Sequence, residues 1–202
     1  MTNPSESASL ILASQSPQRQ KLLRDAGFAF TCEPADVDEE SYTTRTMPIN
    51  LAIDLAQAKA NAIAARYRDR VILGADTVVA FGDHIIGKPS DPAHAREILK
   101  LISGTTVIVI TGIAVAHAAK SFLRTARVIS AARIKALSNV EFEQYMLSGA
   151  WRNRAGGFGV QDDNTIVRDV LGCRTNVIGL PLKTTTKLLA EAGIVPPKPC
   201  AP

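Results

Sequence analysis

The chain has 202 residues with 23 Lys and Arg against 19 Asp and Glu, a net charge of +4, and 46 % apolar residues. That length and mix leave room for one large or two small α/β lobes around a full core. The charge is mild, aromatics make up only 5 %, and there is no basic run, so an anionic small ligand suits the chain better than nucleic acid.

In chain order, LILA (10–13) reads as a buried first strand, and a helix is expected from Pro17 to about Gly27. FAFTCEP is expected as a second strand and ADVDEESY as an acidic loop. Asn50 is placed to cap a long helix over LAIDLAQAKANAIAARY. RVILGADTVVAF gives a strong strand, and GDHIIGKP a turn and return. Asp91 and Pro92 open a helix, HAREILKLIS, that Gly104 can close. TTVIVITGIAVAHA and ARVISAARIKAL read as long paired strands. SNVE (138–141) is a capping box for FEQYMLS, with Gly149 as its stop. RNRAGGFGVQDD is a glycine-rich loop, NVIGLP a last strand or its end, and Pro181 starts a final helix to Gly193. Strand and helix patterns alternate, which defines an α/β chain. Residues 1–9 and 194–202 are expected to be flexible ends around a single domain, 10–193.

No window approaches the roughly 18 apolar residues of a membrane helix. MTNPSESASL has no basic region, so a signal peptide is not expected. Cys32, Cys173 and Cys200 lie far apart without a CxxC, which argues against a zinc site or a disulfide framework and fits a reducing cytoplasm. His84, His94 and His117 have no metal-ligand spacing.

Chemistry concentrates in a few places. Ser16 is well placed as a helix N-cap and Pro17 as the first helical residue. The free N–H groups and the positive end of the helix dipole then make a phosphate cradle, or simply an ordinary capped helix. Arg19 falls in the first turn, where a cation is disfavoured unless an anion is near. Asp76 sits inside an apolar strand, which is costly unless the carboxylate is paired, metal-bound or facing a cleft. Gly74, two residues earlier, would let backbone or a ligand approach closely. If GDHI reverses the chain, Lys88 returns near Asp76. The series Leu51, Leu55, Lys59, Ile63 steps by four, so Lys59 lies on an apolar stripe, from which a lysine ordinarily snorkels to solvent. Asp36, Asp38, Glu39 and Glu40 could hold Mg²⁺ or form a solvated turn. Arg152 and Arg154 join three glycines that could line a pocket wall.

These segments, in this order, resemble the Maf-like nucleoside triphosphate pyrophosphatases: LILASQSPQRQKLL, the ADVDE loop, LAQAKA, GADTVV, GKP, LISG with VITG, SGAWRNRAGGFGVQ and NVIGLPL. The likeness runs from Leu10 to about Gly193. It implies a long mixed twisted sheet flanked by helices, in two lobes with a central cleft. It also implies hydrolysis of nucleoside triphosphates to monophosphate and diphosphate with a divalent cation, Mg²⁺ before Mn²⁺ or Co²⁺. Ser14, Ser16, Arg19, Lys59, Lys88 and Arg154 are then substrate-binding, and Glu39 and Asp76 metal-binding. GADT and the AGGFGVQ loop look like the dTTP/UTP subgroup, in which Asp76 is the proton acceptor and Thr77 and Gln161 help choose the base. Gln18 stands where the family usually has arginine, which implies looser base selection, including CTP or modified bases. Lys21 and Ala150 each replace a glutamate, Arg154 a lysine, and Trp151 a proline.

The expected partner is therefore a nucleoside triphosphate, with no nucleic acid and no membrane, and a homodimer left open. A non-catalytic nucleotide-binding regulator of cell division or septum formation is the rival. Asp76 and Glu39 argue against it, because a pure binder gains nothing from negative charge beside a triphosphate.

Overall fold

The computed structural model describes residues 9–43, 47–161 and 166–196. The expected flexible ends fall mostly outside them, as 1–8 and 197–202. The architecture grows from one strand, β3 (Val71–Phe81), which is buried along nearly its whole length. One edge of β3 pairs antiparallel with β5 (Thr106–His117), from Ile72↔Ala116 to Ala80↔Ile108. β5 pairs in turn with β6 (Phe122–Ile134), as the two long apolar runs predict. β7 (Val167–Leu171) closes that side.

The other edge of β3 is shared. β1 (Leu10–Leu12) runs parallel to Val71–Leu73 and carries β2 (Thr31–Cys32) outside it. β4 (His84–Ile86) folds back antiparallel on Val79–Phe81, the return expected of GDHI. The result is a seven-stranded mixed sheet, β2-β1-β3-β5-β6-β7, with β4 on β3. Between the reach of β1 and the reach of β4, Gly74–Val78 have no strand partner on this edge among the described residues. Open α/β sheets place their ligands at such breaks.

The helices start where the sequence puts stop and start signals, with some corrections. α1 (Pro17–Asp25) is capped by Ser16, whose Oγ accepts the Arg19 N–H. A short helix, α2 (Glu40–Thr43), ends the acidic loop. α3 (Pro48–Ala64) begins ahead of the cap expected at Asn50, because Pro48 takes the first helical position and needs no donor there. Asn50 offers its side-chain oxygen to Arg127 across to β6. α4 (Pro92–Ile102) is capped by Asp91. α5 (Asn139–Ser148) carries the expected Ser138–Glu141 capping box and stops at Gly149, φ 67°.

NVIGLP is not a strand. Arg174–Ile178 form α6, the last strand is β7 just before it, and α7 (Leu182–Glu191) follows. The β-branched pair Val177 and Ile178 favours a strand locally, but tertiary bonds decide: the buried Asn176 amide donates to Val109 O and Ser130 Oγ, both 3.0 Å away. The second expected strand shrinks to the two residues of β2.

α3 lies on one face of the sheet, against β3 and β5. Its approach is close because Gly74 and Gly112 lie beneath it: a Cβ on either would collide with the backbone of Ala56 or Ala52. The close neighbour that Gly74 admits is therefore backbone. The opposite face holds two apolar clusters. One joins Leu73, Ala75, Ile113 and Val115 to α1 and α7, and the other joins Val79, Val107 and Val109 to α4 and α5. Between them, in register, lie Thr77 and Thr111.

Candidate active site

The unpaired stretch of β3 brings two groups of side chains together, one from each face. On the α1 face, Arg19 reaches across the break. Its Nε donates to Gly179 O at 2.9 Å, one terminal nitrogen to Ser14 Oγ at 3.1 Å and the other to Thr77 Oγ1 at 3.0 Å. A guanidinium has five N–H donors, so one on each terminal nitrogen is left for a ligand. Burial pulls the Arg19 pKa down, and the nearby Asp76 and Glu39 charges oppose that; it remains a cation. Ser14 Oγ also accepts the Ser16 N–H at 3.3 Å. With both lone pairs engaged, its hydroxyl proton is left to donate outward, as a phosphate oxygen requires.

Ser16 divides its hydroxyl between the Arg19 N–H and the side-chain oxygen of Gln18, 3.2 Å away. Gln18 thus turns its NH₂ group away from Ser16. Gly179 follows α6 at φ 122°, a conformation open to glycine, and lies in van der Waals reach of Thr77 Oγ1 and Arg19.

On the α3 face, Lys59 sits among the buried Leu51, Leu55 and Ile63 as the i, i+4 stripe predicts, and its side chain is only 12 % exposed. It does not snorkel to bulk water. Its ammonium holds Asp76 Oδ1 at 2.6 Å and Glu39 Oε1 at 2.6 Å, so one cation joins two carboxylates at the sheet edge. Asp76, the anomaly in the apolar strand, is paired, and its second oxygen has no bond to a described residue. Burial pushes the Glu39 carboxyl up, but the Lys59 hydrogen bond and the charges of Lys59, Lys88 and Arg19 outweigh it and hold the pKa below its ordinary value.

Lys88 is exposed on the segment that follows β4, and its charge reaches Glu39. Gly156 N–H donates to Gly87 O at 3.0 Å, which ties the glycine-rich loop, half-buried Arg154 included, to the Lys88 segment. Gln161 is exposed, with no bond to Thr77 or Gln18 among the described residues, and 162–165 lie outside them. Of the acidic loop, Asp38 accepts from Ser41 and so serves the turn. Among the described residues, no group of three His, Cys, Asp or Glu could hold a metal.

Two buried groups escaped the sequence reading. Thr111 bonds Thr77 Oγ1 at 3.0 Å and donates to Asn176 O at 3.1 Å, and both Thr111 and Asn176 are fully buried. A polar residue within VIVITGIAV is the same kind of signal as Asp76 in its strand, and it could have been followed.

A fold with this break, carrying an arginine–hydroxyl clamp on one side and a lysine–carboxylate junction on the other, is that of a phosphate-handling α/β protein. The Maf-like protein family profile matches residues 9–192, and the chain belongs to that family. It is 38 % identical over 185 residues to the dTTP/UTP pyrophosphatase of Elusimicrobium minutum, covering 91 % of this chain and 98 % of that one. It is 39 % identical to the dTTP/UTP pyrophosphatase of Syntrophus aciditrophicus, covering 91 % and 90 %. A solved HAM1 protein structure from Coxiella burnetii aligns at a TM-score of 0.45 and 16 % identity, over 90 % of this chain and 98 % of that one.

Proposed function

We propose that the protein is a nucleoside triphosphate diphosphatase that hydrolyses dTTP and UTP, and modified pyrimidines like them, to monophosphate and diphosphate. The observation that carries this reading is Lys59 holding Asp76 and Glu39 beside the Arg19–Ser14 clamp, in a chain whose relatives are named dTTP/UTP pyrophosphatases.

The chemistry is an in-line attack of water on the α-phosphorus with diphosphate leaving. Arg19, Ser14 and the Gln18 N–H, the one first-turn amide not already bonded to Ser16, bind phosphate oxygens, and Lys88 adds charge from the far side of the break. The unengaged oxygen of Asp76 takes the proton from the attacking water. Lys59 keeps that carboxylate aimed by holding its other oxygen. Arg154 joins the substrate side through the glycine-rich loop, and Thr77, Gln18 and Gln161 face the base.

A bound Mg²⁺ takes one or two carboxylates together with substrate phosphates and water, and the converging pair Glu39 and Asp76 fits that habit. Those two residues would hold it, and the ion would neutralise charge on the phosphates and the leaving diphosphate. Mn²⁺ or Co²⁺ would serve in its place. No helix among the described residues is long and apolar enough to cross a membrane, and a cytoplasmic setting is the one proposed.

The test is a panel of nucleoside triphosphates with Mg²⁺, scored for diphosphate and monophosphate. Release from dTTP and UTP supports the reading. Binding without release would favour the non-catalytic regulator instead.

A further inference from the structure

The hydroxyl contacts between Thr77, Thr111 and the Asn176 carbonyl fix the direction of every proton in the chain they form. Asn176 O is a backbone carbonyl and can only accept. Thr111 Oγ1 lies 3.1 Å from it, and two oxygens at that distance repel unless a proton lies between them, so the Thr111 hydroxyl donates to Asn176 O. Thr111 has no second proton. Its contact with Thr77 Oγ1 at 3.0 Å is therefore made by the Thr77 proton, donated to Thr111. Arg19, which can only donate, takes one lone pair of Thr77 Oγ1 at 3.0 Å. What remains on that oxygen is one lone pair and no proton. Thr111 and Asn176 are fully buried, whereas Thr77 is partly open at the unpaired edge of β3.

Resting on the proposed pyrimidine triphosphatase reading, we infer that Thr111 is a specificity-determining positioning residue: it makes Thr77 Oγ1 a pure acceptor and so selects a base that presents an N–H. The N3–H of uracil and thymine is such a donor. Cytosine has a lone pair at N3, which would face the lone pair of Thr77. A serine or threonine in that place without such a relay could turn its proton outward and accept either base. Ser14 is sorted the opposite way, its lone pairs taken by Arg19 and Ser16 N–H and its proton free to donate. One arginine thus stands between a hydroxyl set to give and a hydroxyl set to receive. The looser selection expected from Gln18 included CTP; with this relay it is confined to substituents around the ring, and the N3 position stays strict.

Thr111→Val keeps the shape and removes the acceptor, which frees the Thr77 proton to rotate outward. Thr111→Ser keeps the relay. The reading is kcat/KM for UTP and CTP on wild type and both variants, with circular dichroism melts to confirm folding. The UTP-to-CTP ratio should fall about tenfold in Thr111→Val and stay within about threefold of wild type in Thr111→Ser, as loss of one directed hydrogen bond predicts. An unchanged ratio in a folded Thr111→Val overturns the inference, as does an equal fall in both variants. A second measurement needs no variant: UTP methylated at N3 should be a far poorer substrate than UTP methylated at C5, and equal turnover of the two overturns it. Wild type that hydrolyses UTP and CTP alike overturns this inference alone. Wild type that hydrolyses no pyrimidine triphosphate overturns the functional reading and the inference with it.

Discussion

Asp76 and Thr77 are neighbours in β3, yet they face opposite sides of the sheet and meet surroundings of different kinds. Asp76 belongs to a junction of charges, in which Lys59 binds it and Glu39 at 2.6 Å each. Thr77 belongs to a chain of neutral hydroxyls and carbonyls that runs from Arg19 into the buried interior. The charged side works through field strength, which weakens by degrees as the charges draw apart. The neutral side works through which atom holds a proton, and that is lost entirely when one partner is removed. A site that must both break a strong bond and tell similar bases apart has reason to keep the two kinds of work on separate faces.

The charged side should break most sharply. Asp76→Asn removes the proposed proton acceptor while keeping its shape, and turnover should drop about 10²-fold or more with the fold retained. Steady-state diphosphate release and a thermal melt check it, and near wild-type turnover would make Asp76 structural. Arg19→Ala removes the cation that joins Ser14, Thr77 and Gly179. It should weaken triphosphate binding by about tenfold and monophosphate binding by less, because the guanidinium reads phosphate charge. Calorimetry with both ligands decides, and equal losses would exclude a role at the distal phosphates.

The neutral side gives a smaller effect. Gln18→Arg should raise the preference for dTTP and UTP over pyrimidines altered around the ring by a few-fold, about what one added directed donor supplies. A competition assay with mixed triphosphates reads it, and no change would make Gln18 a neutral replacement. The smallest effect is in stability. Because Glu39 is held below its ordinary pKa of 4.5, the unfolded chain takes up its proton first on acidification. Its contribution is therefore complete above that value and is lost as pH falls through the depressed folded value. Melting temperatures of wild type and Glu39→Gln, followed across the acid range, should differ above pH 4.5 and converge below it.

How much of this was legible in the sequence depended on whether a residue broke a local rule. Asp76 broke the rule that strands through a core are apolar, and Lys59 broke an i, i+4 stripe; both hold the site together. Ser16–Pro17 announced the first helix by its cap. NVIGLP obeyed the local rule for a strand, yet its first three residues end a helix, because what decides it is the Asn176 amide bonding to Val109 and Ser130, 67 and 46 residues away in the chain. Thr111 was missed for a related reason. Threonine is at home in a strand, so within VIVITGIAV it marks itself more weakly than Asp76 does, and its partners lie 34 and 65 residues off. The order of the short motifs brought the family within reach, while the direction of a hydroxyl proton depends on partners that only the fold brings together.

The two glycines under α3 bear on how this protein could lose its activity without any change at the site. At Gly74 and Gly112 helix backbone lies against sheet backbone, with no side chain between them. Lys59 rides on that helix and must reach Asp76 at the sheet edge with a stem of fixed length. An added methyl at Gly112 would act as a shim under a lever. It would tilt α3 away from the sheet and draw the ammonium back from both carboxylates at once, disarming the centre while leaving every one of its own residues in the gene.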